Sequence, residues 1–336
     1  MESFGGVIMI HFHYNWDDER FPNFKKRMME TYQLSSRACD NPQQLNQTFA
    51  HLEDYYASII KLGYVSKSNF QNVLDAFLNL LMIQYLDFET SKKYNGTSYL
   101  GMISLNPNPG LFKGLNKEES KRLCIYHELG HLITGQNRDD LQFFQKHIFP
   151  SSEIEKKYGG MNYDISYHSF CEGFAAIDEV VAENVGEASL YYKKNMPRPK
   201  MVRYNNKAMY PKGEFSSNFH EYMELQELVY SFAKNLSFID SKDKDMNSIL
   251  FQLSKAMFSN DFYKRLWDEF YLHPEKLVDM AMQLICMGKI KQAKYACYED
   301  NRDLSKLDVS KYYQLFYQIQ SSYEDMGRKE REKNHS

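Results

Sequence analysis

The motif His127-Glu128-Leu-Gly-His131 constrains this chain more than any other feature of its sequence. It falls within residues 116–135, which have helical spacing and open with an asparagine followed three positions later by a glutamate, as in a capping box. Residues four apart share one face of a helix, so the two imidazoles can converge on one ion. Their ring nitrogens can then bind Zn²⁺ at about 2.0–2.1 Å.

Glu128 follows the first histidine and is rotated by about 100° from it around the helix axis. From that position its carboxylate can reach a water bound to the metal without itself binding the metal. Glu128 is therefore a candidate general base, a residue that takes a proton from the attacking water.

The composition and charge are those of an ordinary folded protein, with 43% hydrophobic and 25% charged residues in a chain of 336. A formal net charge of −3 provides no overall field that would attract nucleic acid or an anionic membrane. The five cysteines include no CxxC pair, the N-terminus does not read as a signal peptide, and no stretch approaches about 18 apolar residues. We therefore expect a cytoplasmic protein with neither nucleic acid nor a membrane as partner.

The spacing of apolar residues predicts a mainly α protein of the α+β class with a small sheet. A strand is predicted at 99–105, before a loop over 106–114. Residues 7–13 fit a short strand or an irregular leader equally well. The predicted helices span residues 24–32, 45–59, 66–86, 116–135, 167–186, 219–236, 246–258, 262–271, 274–287 and 310–323.

The helix predicted at 167–186 carries three glutamates, Glu172, Glu179 and Glu183, whose spacing places them on one face. Carboxylates on one stripe repel each other, and a cation that faces them reverses the sign of this effect. The stripe is either a solvated outer surface or the source of a metal ligand. A catalytic zinc site needs such a third protein ligand, together with an open position for water.

The segments His127-Glu-Leu-Gly-His131 and Glu179-Val-Val-Ala-Glu183 resemble the catalytic helices of the gluzincin-type zinc metallopeptidases in their order and residue types. In those enzymes, H-E-x-x-H is followed by a helix with an E-x-x-x-D/E pattern. The likeness covers about a quarter of the chain. It implies that His127, His131 and Glu179 hold one zinc ion. It also implies that Glu128 activates the water and that Glu183 orients a ligand histidine.

Glu172 is the alternative third ligand, because Glu172-Gly-Phe-Ala resembles the glutamate-bearing segment of the gluzincin aminopeptidases. We favour Glu179 because an acidic residue, Glu183, stands four positions after it. The residue four positions after Glu172 is Ala176, whose side chain cannot support a histidine.

Hydrolysis also needs a group that stabilises the developing oxyanion, usually a Tyr, His or Arg opposite the metal. Tyr167, at the start of the second helix, and His220, after that helix, are the candidates. The strand predicted at 99–105 is either an ordinary member of the sheet or an edge that pairs with an extended substrate.

The resemblance implies zinc-dependent hydrolysis of peptide bonds, with one Zn²⁺ as cofactor and a peptide or protein as substrate. The alternative is a non-catalytic binding or regulatory protein that the metal stabilises on the same scaffold. The expected division of the chain is an N-terminal helical segment, a zincin-like catalytic unit, a C-terminal helical segment and a polar tail, at residues 1–93, 94–215, 216–326 and 327–336.

Overall fold

The computed structural model shows a mainly helical protein with two small sheets, which confirms the predicted mainly α, α+β class. The residues that the structure describes are 10–16, 23–66, 69–70, 73, 82–92, 94–99, 101–112, 114–135, 140–142, 144–145, 163–204, 207–209, 223–242, 245–273 and 276–299. Among these residues, no helix is long and apolar enough to cross a membrane.

The chain forms two compact units, each assembled from segments that are distant in sequence. The first unit comprises Met1–Gln136, Ala182–Arg198 and Met257–Asn260. The second comprises the rest of the chain, which is Asn137–Val181, Pro199–Ala256 and Asp261–Ser336. The division into helical segments around a catalytic unit stays a prediction.

Two helices open the first unit, α1 (Phe24–Ser36) and α2 (Pro42–Lys61). The side chain of Asn41 caps α2 by accepting a hydrogen bond from a backbone N–H of the first turn, and a proline stands at the first helical position. After α2, Gly63 has a φ of 80°, the left-handed conformation that often follows a helix end. The two helices predicted here are confirmed.

One buried carboxylate of α2 holds residues 10–16. Glu53 is 1% exposed and accepts hydrogen bonds from the backbone N–H groups of His13 and Tyr14, both at 2.9 Å. The indole Nε1 of Trp16 donates a third hydrogen bond to Glu53 at 2.8 Å. Three donors from one short segment therefore neutralise most of the cost of burying this charge.

The first unit contains a three-stranded sheet of β1 (Met82–Tyr85), β2 (Gly96–Tyr99) and β3 (Met102–Leu105), with a short helix α3 (Phe88–Ser91) between β1 and β2. The strand order is β1-β3-β2. Strand β1 runs parallel to β3, whereas β2 runs antiparallel to it. Strand β2 therefore lies at an edge of this sheet.

Two sequence predictions for the first unit need correction, and a third segment, for which two alternatives were open, is not a strand where the structure describes it. The single strand predicted over 99–105 is a hairpin, because the chain reverses at Gly101, where φ is 79°. The helix predicted over 66–86 does not reach its predicted end, because Met82–Tyr85 pairs with β3 as a strand. Residues 10–13, the described part of the segment at 7–13, form no strand. A short apolar run fits a buried strand and a helix equally well, which explains the second error.

The helix with the histidine motif is α4 (Lys117–Thr134), and its start confirms the predicted capping box. The side chain of Asn116 accepts a hydrogen bond from the backbone N–H of Glu119, and the Glu119 carboxylate accepts one from the backbone N–H of Asn116, both at 2.9 Å. Helix α4 lies against α2 and against β2. The edge strand therefore adjoins the helix that carries the histidines.

The second long helix is α5 (Tyr163–Lys193), which extends beyond both ends of the predicted 167–186. The later predicted helices are also present, except 310–323, which lies outside the described residues. The sequence did not predict the antiparallel pair of strands that follows α5. The described elements after α5 are β4 (Val202–Tyr204), β5 (Lys207–Met209), α6 (Met223–Ala233), α7 (Met246–Met257), α8 (Phe262–Leu272) and α9 (Leu277–Glu299).

Candidate metal centre

His127 and His131 point their imidazole rings at each other from consecutive turns of α4. Their Nε2 atoms are 3.0 Å apart and their ring planes are nearly perpendicular, at 89°. Two nitrogens bound to one tetrahedral zinc ion would lie about 3.3 Å apart if each bond is about 2.0–2.1 Å. The observed separation is within a few tenths of an ångström of that value, so the two nitrogens could bind one ion.

Glu179 of α5 completes a group of three metal-binding side chains. Ligand atoms of His127, His131 and Glu179 all lie within 4.8 Å of one another, and Glu179 is only 9% exposed. Two imidazoles and one carboxylate are a donor set found in catalytic zinc sites, in which water takes the fourth position. These three residues could therefore hold a metal ion.

Helices α4 and α5 approach closely because the residue before His131 has no side chain. A Cβ atom built on Gly130 would lie 2.7 Å from the Cα atom of Ala182 and 2.9 Å from its Cβ atom. Gly186 lies on the same contact, but a Cβ atom there would be 3.5 Å from the backbone nitrogen of His127, an ordinary van der Waals distance. Gly130 therefore sets how near α5 comes to the two histidines.

We expect Gly130→Ala to lower the free energy of unfolding of the metal-free protein by about 1–3 kcal/mol, because the added methyl group overpacks the helix contact. Gly186→Ala is the matched control and should keep or slightly raise the stability, since its methyl group has room and alanine favours a helix more than glycine does. Urea unfolding of both variants measures the difference. Equal stabilities for the two variants would contradict the close approach at Gly130.

Glu183 lies beneath His127, on the side of the ring away from the facing nitrogens. Its Oε2 atom is 3.5 Å from Nδ1 of His127, and the residue is completely buried. Within the described residues, neither carboxylate oxygen of Glu183 has a hydrogen-bond partner. A histidine that binds a metal through one ring nitrogen commonly donates a hydrogen bond from the other to a carboxylate, which would satisfy one of these oxygens. Glu183 is therefore placed to orient His127.

Glu172, the alternative ligand, has a cationic partner instead. Its Oε2 atom lies 3.4 Å from Nζ of Lys291 in α9, and its side chain is 29% exposed. Glu172 is not part of the group that His127, His131 and Glu179 form. The structure therefore brings Glu179 to the histidines and pairs Glu172 with a lysine.

The Cys124 thiol, one turn before the histidine motif, lies in an electrostatic environment that favours positive charge. Burial is the largest cause that raises the pKa of this thiol, and the nearby carboxylates of Glu128 and Glu183 raise it further. The thiol is therefore protonated and neutral at physiological pH. The same two carboxylates would attract a cation into the space next to them.

Gly96, the first residue of β2, is a feature of the site that the sequence did not reveal. A Cβ atom built there would lie 2.7 Å from Oε1 of Glu128. Glu128 is 7% exposed, so its carboxylate is covered on one side by the backbone of the edge strand. The only local signal was an Asn-Gly pair, which is typical of a turn and indicates nothing about a distant helix.

The two residues proposed to stabilise the oxyanion stay predictions. The backbone of Tyr167 belongs to α5, but its side chain lies outside the described part of the chain. His220 lies entirely outside the described residues.

Comparison with known proteins identifies no relative. No family model, no curated protein and no solved structure matches this chain. Functional interpretation therefore depends on the residues of the candidate metal centre themselves.

Proposed function

We propose that this protein is a zinc-dependent metallopeptidase, in which His127, His131 and Glu179 hold one Zn²⁺. The observation that carries the proposal is a buried glutamate, Glu128, next to two histidines whose Nε2 atoms face each other at 3.0 Å. When bound, zinc polarises the substrate carbonyl and lowers the pKa of its water to about 7. Glu128 is not part of the group of three possible ligands, and in this proposal its carboxylate acts as the base.

In this proposal, Glu128 takes the proton of the attacking water and delivers it to the leaving amine of the peptide bond. His127 keeps Nε2 for the metal because its Nδ1 side faces Glu183 at 3.5 Å. Glu128 and His127 are residues of α4 and Glu183 is a residue of α5, so these two helices fix the positions of the three side chains.

The outer edge of β2, with which no described strand pairs, supports a peptide as substrate. The backbone N–H of Asn106 donates to the backbone oxygen of Asn95 across the hairpin, so these two residues form a hydrogen-bonded pair. Hydrogen-bonded and non-hydrogen-bonded pairs alternate along two antiparallel strands. Gly96 and Ser98 therefore belong to non-hydrogen-bonded pairs and direct their N–H and C=O groups away from β3. No described strand pairs with β2 on that side. An extended peptide can add there through its backbone, beside the carboxylate of Glu128.

Metal removal and reconstitution test the proposed function. We expect the purified chain to hold one equivalent of zinc and to cleave members of a diverse peptide library. Cleavage should be lost when a chelator removes the metal, and it should return when zinc is restored. Elemental analysis and mass spectrometry of the peptides provide the two measurements. A chain that binds one zinc but cleaves nothing would instead support the non-catalytic binding or regulatory protein.

A further inference from the structure

The side chain of Glu128 lies against the backbone of Gly96 along most of its length. A Cβ atom at position 96 would be 2.7 Å from Oε1, 2.9 Å from Cγ and 3.0 Å from Cδ of Glu128. Carbon atoms in favourable contact are about 3.5–4.0 Å apart. Any side chain at position 96 would therefore have to displace the part of Glu128 that carries its carboxylate.

The backbone conformation does not explain why position 96 is a glycine. The described glycines with positive φ are Gly63, Gly101 and Gly114, whereas Gly96 lies within a strand. In a strand, glycine is unfavourable because it adds no side-chain packing and loses more backbone freedom on folding. The benefit of glycine at this position is therefore space for Glu128.

We infer that Gly96 is a positioning residue for the Glu128 carboxylate. This inference rests on the proposed function, because it concerns the base of that reaction. Gly96 lets the carboxylate stand at the edge of β2, next to N–H and C=O groups with which no described strand pairs and to which an extended peptide can bind. The scissile bond of a peptide on that edge is then within reach of the base.

The contact also restricts a flexible side chain before the reaction begins. Glutamate has three rotatable bonds, and confinement between α4 and β2 removes part of that freedom in the folded protein. A catalytic group that is already oriented avoids this loss during the reaction, and a misplacement of about 1 Å can lower a rate by about 10²-fold.

The test compares Gly96→Ala with Gly110→Ala, the matched control, because a Cβ atom at Gly110 would meet nothing within 4 Å. We expect Gly96→Ala to lower kcat by about 10²-fold, with KM nearly unchanged and one zinc still bound. Gly110→Ala should keep the kcat, KM and zinc content of the unaltered chain.

A double-mutant cycle tests the contact without any substrate. Glu128→Ala removes all three atoms that a Cβ at position 96 would strike. Gly96→Ala should therefore lower the urea midpoint of the chain that has Glu128, and it should leave the midpoint of the Glu128→Ala chain unchanged.

The possible results separate this inference from the proposed function. Three results would overturn the inference alone. The first is an unchanged kcat in Gly96→Ala, and the second is a loss of zinc from that variant with an unchanged kcat per zinc. The third is an equal loss of stability on Gly96→Ala in the chain with Glu128 and in the Glu128→Ala chain. An unaltered chain that binds zinc without cleaving peptides would overturn the proposed function, and the inference with it.

Discussion

Glu128→Gln is expected to lower kcat for peptide hydrolysis by about 10²–10⁴-fold while one equivalent of zinc stays bound. Glutamine has the size of glutamate and keeps the contact with Gly96, but its amide cannot take a proton from water. The three side chains proposed to hold zinc, those of His127, His131 and Glu179, are unchanged in this variant. Steady-state kinetics and elemental analysis on the same preparation measure the two quantities.

Glu89→Gln is the control for this substitution. Glu89 is a glutamate of α3 whose side chain is 79% exposed, so its replacement should affect neither kcat nor zinc content. Full activity in Glu128→Gln would exclude Glu128 as the base, and loss of zinc would show that its carboxylate binds the metal.

Removing Glu179, the proposed third ligand, should have the largest effect on metal binding. We expect Glu179→Ala to weaken zinc binding by more than about 100-fold, beyond the 10–100-fold that is typical when a residue supporting a ligand is replaced. Glu183→Gln should fall within that smaller range, since Glu183 lies against His127 and is not one of the three proposed ligands. Competition with a chromogenic chelator measures all of these affinities.

Glu172→Ala is the matched control, because Glu172 belongs to the same helix and pairs with Lys291. It should keep the zinc affinity of the unaltered chain. The opposite order, with zinc lost in Glu172→Ala and retained in Glu179→Ala, would make Glu172 the third ligand.

The sequence predicted those parts of the site that depend on neighbouring residues. The capping box of Asn116 and Glu119 uses side chains three positions apart, so it could be recognised without any knowledge of the fold. The shared face of His127 and His131 follows from helix geometry in the same way. The helix, its start and its two histidines were therefore predictable.

The choice between the two glutamates needed a contact that is distant in sequence. Glu172 and Glu179 lie on one face of α5, and helix periodicity treats them alike. Lys291, which pairs with Glu172, stands 119 positions further along the chain. Nothing in the sequence around either glutamate indicates that contact.

The sheet was the least predictable part of the first unit. Met82–Tyr85 continues an apolar pattern that favours a helix, and it becomes a strand because it pairs with β3, about twenty residues later. The contact of Gly96 with Glu128 depends on that sheet and on the position of α4 against it. Pairings of this kind are decided by packing between distant segments, which local preference does not encode.

The buried carboxylate of Glu53 limits how the chain can be shortened for laboratory work. A fragment that starts after Trp16 would lack the three donors that Glu53, which is 1% exposed in the folded chain, accepts from. Leaving a buried charge without its partners costs about 3–5 kcal/mol, a large share of the stability of an ordinary domain. Trimmed versions should therefore retain residues 10–16, or replace Glu53 with an uncharged side chain.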